Sequence, residues 1–137
     1  MPQIQGLGET ALYVENPTRS RQFYQRLFGF TEVSHDDNFG ALRVTESQVL
    51  LLFKKHSRDE PFSTPGGTIP PHGGEGSLHL AFTISPTQLD PWREHLRLHG
   101  VNIESEVNWG PGLHSLYFRD PDNHLIELAT PGLWKTD

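Results

Sequence analysis

At 137 residues the chain has the length of one domain, and 11 basic against 17 acidic side chains give it a formal charge of −6, which leaves no broad basic surface for a nucleic-acid backbone or an anionic membrane. Cysteine is absent, so disulfides, thiolate metal sites, iron–sulfur clusters and a cysteine nucleophile are excluded, and any metal must be held by His, Asp or Glu. The opening MPQIQGLGET has neither a basic leader nor an apolar run, and nothing approaches the roughly 18 apolar residues of a spanning helix; the expectation is a soluble, cytoplasmic, turn-rich protein acting on a small molecule.

Residues Glu9 to Glu15 alternate in character and read as a half-buried strand, with Glu9, Ala11 and Tyr13 on one face and Thr10, Leu12 and Val14 on the other. Asn16-Pro17 is a helix start, because an Asn side chain can accept a free amide and proline fits the first helical position. Phe23, Tyr24, Leu27 and Phe28 then recur at helical spacing, and Gly29 closes the helix. Three extended segments follow, Phe30 to Ser34, Phe39 to Thr45 and Gln48 to Lys54.

From Lys55 to Ser77 the chain carries Pro61, Pro65, Pro70 and Pro71 with five glycines, a composition that sustains neither a helix nor a central strand. This segment is either a crossover between two halves or a cover over a substrate region. Beyond it the opening order returns. Leu78 to Ile84 alternates, with His79, Ala81 and Thr83 on one face; Asp90-Pro91 repeats the cap-then-proline signal; Trp92 and Leu96 mark a buried stripe; and Gly100 ends the helix. Ile103 to Val107, Leu113 to Arg119 and His124 to Thr130 are predicted strands, the last two joined by the turn Asp120-Pro121-Asp122-Asn123. The chain is thus written twice as strand, helix, then three strands.

In each half the bulky apolar residues belong to the helix-covered face of the sheet, and the other face carries Glu9, His79 and Glu127. A carboxylate between Ile126 and Leu128 in a strand is expensive to bury alone and needs a partner or a cation. Two carboxylates and an imidazole meeting from three strands would hold one divalent ion, of Mn, Fe, Ni, Co, Zn or Mg, and leave positions open for substrate. An ordinary alternative accounts for the same pattern: Glu9 solvated, His79 a satisfied core histidine, and Glu127 paired with an arginine such as Arg119. Among the other candidates His35 and His56 fall in polar turns, and His95 and His99 on an exposed helix face. His72 and His114 could approach a cleft mouth, Trp109 could wall a pocket or anchor a loop, and Trp134 could pack on the sheet or on a second subunit.

The segments ALYVENPTRSRQFYQRLFGF, SLHLAFTI and LYFRDPDNHLIELAT resemble the three signature regions of the vicinal oxygen chelate superfamily, which includes glyoxalase I, extradiol dioxygenases, fosfomycin-modifying enzymes and bleomycin-resistance proteins. The resemblance runs from about Leu7 to Thr130. It implies a single α+β domain of two βαβββ modules, about 7–54 and 78–130 with linker 55–77, forming a cupped eight-stranded mixed sheet with helices outside, in a homodimer. The family's metal ligands fall on Glu9, His79 and Glu127, with Glu9 or Glu127 moving a proton. The pairing of similar hairpins sets Tyr117 opposite Glu127 with Ser115 on the same face, so Ser115 and Tyr117, and on weaker grounds Tyr13 and Thr83, are expected substrate contacts. Two departures matter. The first ligand is commonly His or Gln and here is Glu9, which weakens an iron(II) dioxygenase. The additional glutamate that glyoxalase I draws from the first module has no counterpart in Val49-Leu50-Leu51-Leu52-Phe53. The implied activity is a metal-dependent lyase or isomerase, with a dioxygenase, a fosfomycin-type epoxide-opening enzyme and a metal-free binding protein of the bleomycin-resistance type as alternatives.

Overall fold

In the computed structural model, which describes residues 1–134, the two halves of the sequence are two compact units, Met1–Glu75 and Gly76–Asp137. The first unit opens with β1 (Glu9–Val14), in which Leu12 and Val14 are buried while Glu9 is exposed and Ala11 and Tyr13 are half-buried. Helix α1 (Pro17–Phe28) starts where Asn16, in extended conformation, accepts a hydrogen bond from the Arg19 amide. It ends at Gly29, whose φ of 72° lets its amide reach back to the Gln25 carbonyl. Tyr24 and Leu27 carry the buried stripe; Phe23 and Phe28, expected beside them, are half-buried, Phe23 meeting the Tyr24 ring edge-on and Phe28 stacking on it. Strands β2 (Thr31–Asp36), β3 (Phe39–Thr45) and β4 (Gln48–Lys54) complete the first sheet in the order β1-β4-β3-β2, with β1 parallel to β4 and the rest antiparallel. α1 packs on β3 and β4, over the fully buried Leu42, Leu50 and Leu52.

The proline- and glycine-rich stretch belongs to the first unit as far as Glu75. It contains a short exposed ribbon, β5 (Phe62–Thr64) and β6 (Gly67–Ile69), turned by Pro65-Gly66. No strand was expected in this stretch, yet a proline followed by glycine suits the corner of a two-stranded ribbon, and the Thr64 hydroxyl donating to the Gly67 carbonyl closes it. The stretch then doubles back so that the His72 amide meets the Arg58 carbonyl and the His72 ring meets the Tyr13 hydroxyl.

The second unit repeats the topology. β7 (His79–Thr83), β8 (Ser105–Gly110), β9 (Leu113–Arg119) and β10 (Leu125–Ala129) form a sheet of order β7-β10-β9-β8, with β7 parallel to β10. The strands therefore form two four-stranded mixed sheets and one ribbon. Helix α2 (Leu89–Leu98) begins one residue before the expected Asp90 cap, because a 3-10 turn at Pro86–Gln88 leads directly into it. Asp90 lies in the first turn, without capping the helix, and pairs with Arg93. Strand β8 begins two residues and ends three residues beyond the predicted Ile103 to Val107, so Trp109 sits in a strand. At the β9–β10 turn the Asp120 carboxylate accepts from the amides of Asp122 and His124, and Asn123 takes the left-handed conformation with φ of 66°. No helix among the described residues is long and apolar enough to cross a membrane.

The two registers define the repeat. Glu9 faces Val49 and Ala11 faces Leu51 across the first parallel pair, as His79 faces Leu125 and Ala81 faces Glu127 across the second. Glu9 is thus the counterpart of His79, and Leu51 of Glu127.

Candidate functional site

Alternation in β10 turns Ile126 and Leu128 to the core, both fully buried, and leaves Glu127 on the opposite face together with Ser115 and Tyr117 of β9 and His79 of β7. The register is the one the hairpin sequence predicts: Glu127 lies directly opposite Tyr117, and Ala129 opposite Ser115. This face forms one wall of a cavity of about 790 Å³ whose lining also includes Ala81, Thr83, Trp109 and Trp134.

Glu127 is only 6% exposed, and its two oxygens are treated differently. Oε2 accepts the Ser115 hydroxyl at 2.6 Å, and that hydroxyl accepts the Trp109 indole N–H at 3.0 Å. Oε1 faces His79 Nε2 at 3.2 Å. The arginine of the ordinary alternative lies elsewhere: Arg119 pairs with Glu104 at 3.0 Å. Nor is His79 a core histidine, since half of its side chain is exposed.

The imidazole orientation has a chemical consequence. Its Nδ1 lies 2.9 Å from the Leu125 carbonyl oxygen, which can only accept, so Nδ1 carries a proton. In a neutral ring Nε2 is then a bare lone pair facing a carboxylate oxygen. Two acceptors at that distance require a proton or a cation between them. Ligand atoms about 2.1 Å from a divalent ion lie roughly 3.0 to 3.4 Å from one another in octahedral or tetrahedral shells, and the observed 3.2 Å falls within that interval. A backbone carbonyl fixing Nδ1–H while Nε2 points at a carboxylate is also the usual support of a ligating histidine. The pair fits a divalent metal.

The remaining sequence candidates are distributed as follows. Glu9 lies in the first unit, exposed at the start of β1. No group of three or more His, Asp or Glu side chains able to hold a metal is present among the described residues; the structure brings together two of the three expected ligands. Tyr117 borders the cavity with its hydroxyl pKa raised above 10, chiefly by burial, so it remains a proton donor at neutral pH. Ser115, expected to point at substrate, is fully buried and engaged on both sides, which makes it a support for Glu127. Thr83 lines the cavity. Tyr13 is in the first unit with its hydroxyl 2.8 Å from His72 Nδ1, and its pKa is raised by burial. His35 lies in β2 and not in a turn, 2.8 Å from Glu32; His56 is held between Asp59 and Glu75. Sequence reasoning missed Trp109 as a hydrogen-bond donor because its strand was predicted to end at Val107. It also missed His124, 1% exposed, whose Nδ1 accepts the Leu78 amide and ties β7 to the final turn.

Residues 6–128 match the family model described as the Glyoxalase/Bleomycin resistance protein/Dioxygenase superfamily. The chain belongs to this superfamily. Within it, a biphenyl-2,3-diol 1,2-dioxygenase from Rhodococcus globerulus is 36% identical over 69% of the chain, and the chain spans only 55% of that relative's length. The fosfomycin resistance protein FosX of Listeria innocua is 29% identical over 91% of this chain and 89% of its own. A lactoylglutathione lyase structure from Agrobacterium tumefaciens superposes with a TM-score of 0.87 at 26% identity, covering 98% of this chain and 99% of that one. The fold of the superfamily and its paired modules are thus shared end to end, while the chemistry of its members differs from one relative to the next.

Proposed function

We propose that the chain is a metal-dependent enzyme of the glyoxalase superfamily, a lyase or isomerase acting on a small oxygenated substrate. The observation that carries this reading is the 3.2 Å contact between His79 Nε2 and Glu127 Oε1, with the other end of each side chain already fixed. His79 and Glu127 would hold a divalent ion, Mn, Fe, Ni, Co, Zn or Mg, and Glu9, the counterpart of His79 on the first strand of the other module, would be the third ligand. When bound, that ion supplies Lewis acidity to two neighbouring oxygens of the substrate.

The chain's own groups do the rest. Ser115 holds Glu127 Oε2, so either Glu127 Oε1 or the Glu9 carboxylate, whichever is not engaged as a ligand, would take the proton from substrate carbon and return it. The Tyr117 hydroxyl, kept protonated by burial, donates to the oxyanion that develops. Thr83 contacts the substrate from β7, and Tyr13 from the first module. The structural likeness to a lactoylglutathione lyase across nearly the whole chain supports the lyase reading over an oxygenase. A second reading, epoxide opening, is supported by the near full-length similarity to a FosX protein. The proposal includes a cytoplasmic location and a homodimer, the latter checked by light scattering of the purified protein.

The experiment is metal analysis of purified, reconstituted protein together with His79→Ala, Glu127→Gln and Glu9→Gln, followed by assays of hemithioacetal isomerisation and of epoxide opening. One ion per chain is expected, with affinity lowered at least tenfold in each variant. Stoichiometric metal untouched by all three substitutions overturns the site, and no metal at all favours a binding protein of the bleomycin-resistance type.

A further inference from the structure

The first unit has a cavity of its own, about 680 Å³, within the usual range for a small-molecule site. Its floor is an aromatic cluster centred on Phe53, which is 7% exposed and lies 5.1 Å from Phe39 and 4.6 Å from His72 by ring centroids. Its outer wall is the stretch after β4, which sets Arg58, Phe62 and Ile69 over that floor. Phe62 and Ile69 remain 41% and 45% exposed, so apolar side chains line a space that nothing in the unit fills.

Arg58 gives the cavity its polarity. Its guanidinium carbon lies 4.1 Å from the Phe62 ring centroid and 5.3 Å from that of Phe53, so ring faces cover the cation and remove water from it. Its Nη1 donates to the neighbouring Ser57 carbonyl at 3.3 Å. Arg21, Arg93, Arg97 and Arg119 each pair with a carboxylate, whereas Arg58 makes no ion pair among the described residues. Two carboxylates share the lining, Glu9 and Asp36, and neither neutralises it; Asp36 is exposed and accepts the Asn38 amide at 2.7 Å. A half-buried guanidinium with covered faces and free edges is suited to a planar carboxylate, which it can meet with two parallel hydrogen bonds.

We infer that the first unit's cavity is a binding site for an aromatic carboxylate, its ring received by Phe39, Phe53 and Phe62 and its carboxylate by Arg58. The site is fixed from outside by the His72 to Tyr13 hydrogen bond and by Gly74, where a Cβ would come within 2.8 Å of the Tyr13 ring. It is lined by the first unit alone; because Glu9, proposed above as a metal ligand, borders it, the inference rests on that reading in naming a substrate class for the site.

The test is calorimetric titration of the full chain, stripped of metal with chelator, with phenylacetate, acetate and benzyl alcohol as probes. Metal-free protein is used so that this inference and the proposed enzyme activity fail separately. Phenylacetate is expected to bind, and the two fragments of it at least tenfold more weakly. Arg58→Gln and Phe62→Ala, both on the exposed stretch and both checked by circular dichroism, are each expected to raise the phenylacetate Kd at least tenfold; Arg58→Lys, which keeps the charge but not the fork, recovers only part of the loss. Failure of the wild-type chain to bind phenylacetate overturns the inference, as does unchanged binding in Arg58→Gln or in Phe62→Ala.

Discussion

Ser115 has a single hydroxyl proton and gives it to Glu127, so the oxygen of a buried carboxylate that would otherwise be free to rotate is fixed, and the other is presented to His79. Trp109 in turn fixes the serine. Ser115→Ala removes a short hydrogen bond to a charged, buried acceptor and is expected to cost about 1.5–3 kcal/mol of stability, read as a lowered denaturant midpoint. If the proposed ion is held there, the same substitution weakens its binding by roughly 10- to 100-fold, the usual effect of removing the support of a ligand. Trp109→Phe keeps the ring and removes the N–H, and about 0.5–1.5 kcal/mol is expected. Midpoints indistinguishable from wild type in both variants would show that the relay orients nothing. The sequence made Glu127, Ser115 and Tyr117 legible because strand alternation and a short turn leave one register. It did not reveal that Ser115 faces a carboxylate already buried: period-2 alternation places a side chain on a face but does not decide whether its hydroxyl meets substrate or a neighbour.

Elements whose ends carry their own chemistry were legible almost to the residue. α1 is bounded by Asn16 and Gly29, each with a local reason to stop a helix, and β3, β4 and β9 are bounded by turns. β8 was misplaced because Ile103 to Trp109 alternates without a break, so pairing with β9 chooses the segment, and a bulge between Asn108 and Gly110 absorbs the mismatch. The ribbon in the linker was missed because its stability is not in its own pattern; its strands are fully exposed. Two substitutions check the local account. Asn16→Ala removes the acceptor for the Arg19 amide and is expected to cost about 1 kcal/mol, and Asp120→Ala strips the amides of Asp122 and His124 of their acceptor, the second of them in a buried residue, for about 1–3 kcal/mol. Thermal or urea unfolding measures both. A loss at Asp120 smaller than that at Asn16 would contradict the view that this turn, through His124 and the Leu78 amide, anchors β7.

At the scale of the whole molecule one topology is used twice with different chemistry on matching positions: His79 and Glu127 in the second unit stand where Glu9 and Leu51 stand in the first. The repeat was readable because strand order and caps recur. The contents of the two cavities were not, since Arg58, Phe62 and His72 come from a stretch with no period at all. Burial chiefly opposes the ionisation of Tyr13 in the first unit and of Tyr117 in the second. A folded-state pKa above the unfolded value of 10 means that the native chain holds these protons where the unfolded chain has released them. The resulting stability is fully present below pH 10 and falls as pH rises through the folded values. Unfolding free energy is therefore expected to be level across pH 8 to 9.5 with respect to these two groups and to decline above about 10. Among the late ionisations in tyrosinate absorbance, one is expected to be removed by Tyr13→Phe and another by Tyr117→Phe, and each variant should lose part of the alkaline decline. Tyr117→Phe tests the oxyanion donor at the same time: kcat falls across the whole neutral range if the hydroxyl donates to the reacting oxygen, and only KM changes if it merely lines the wall.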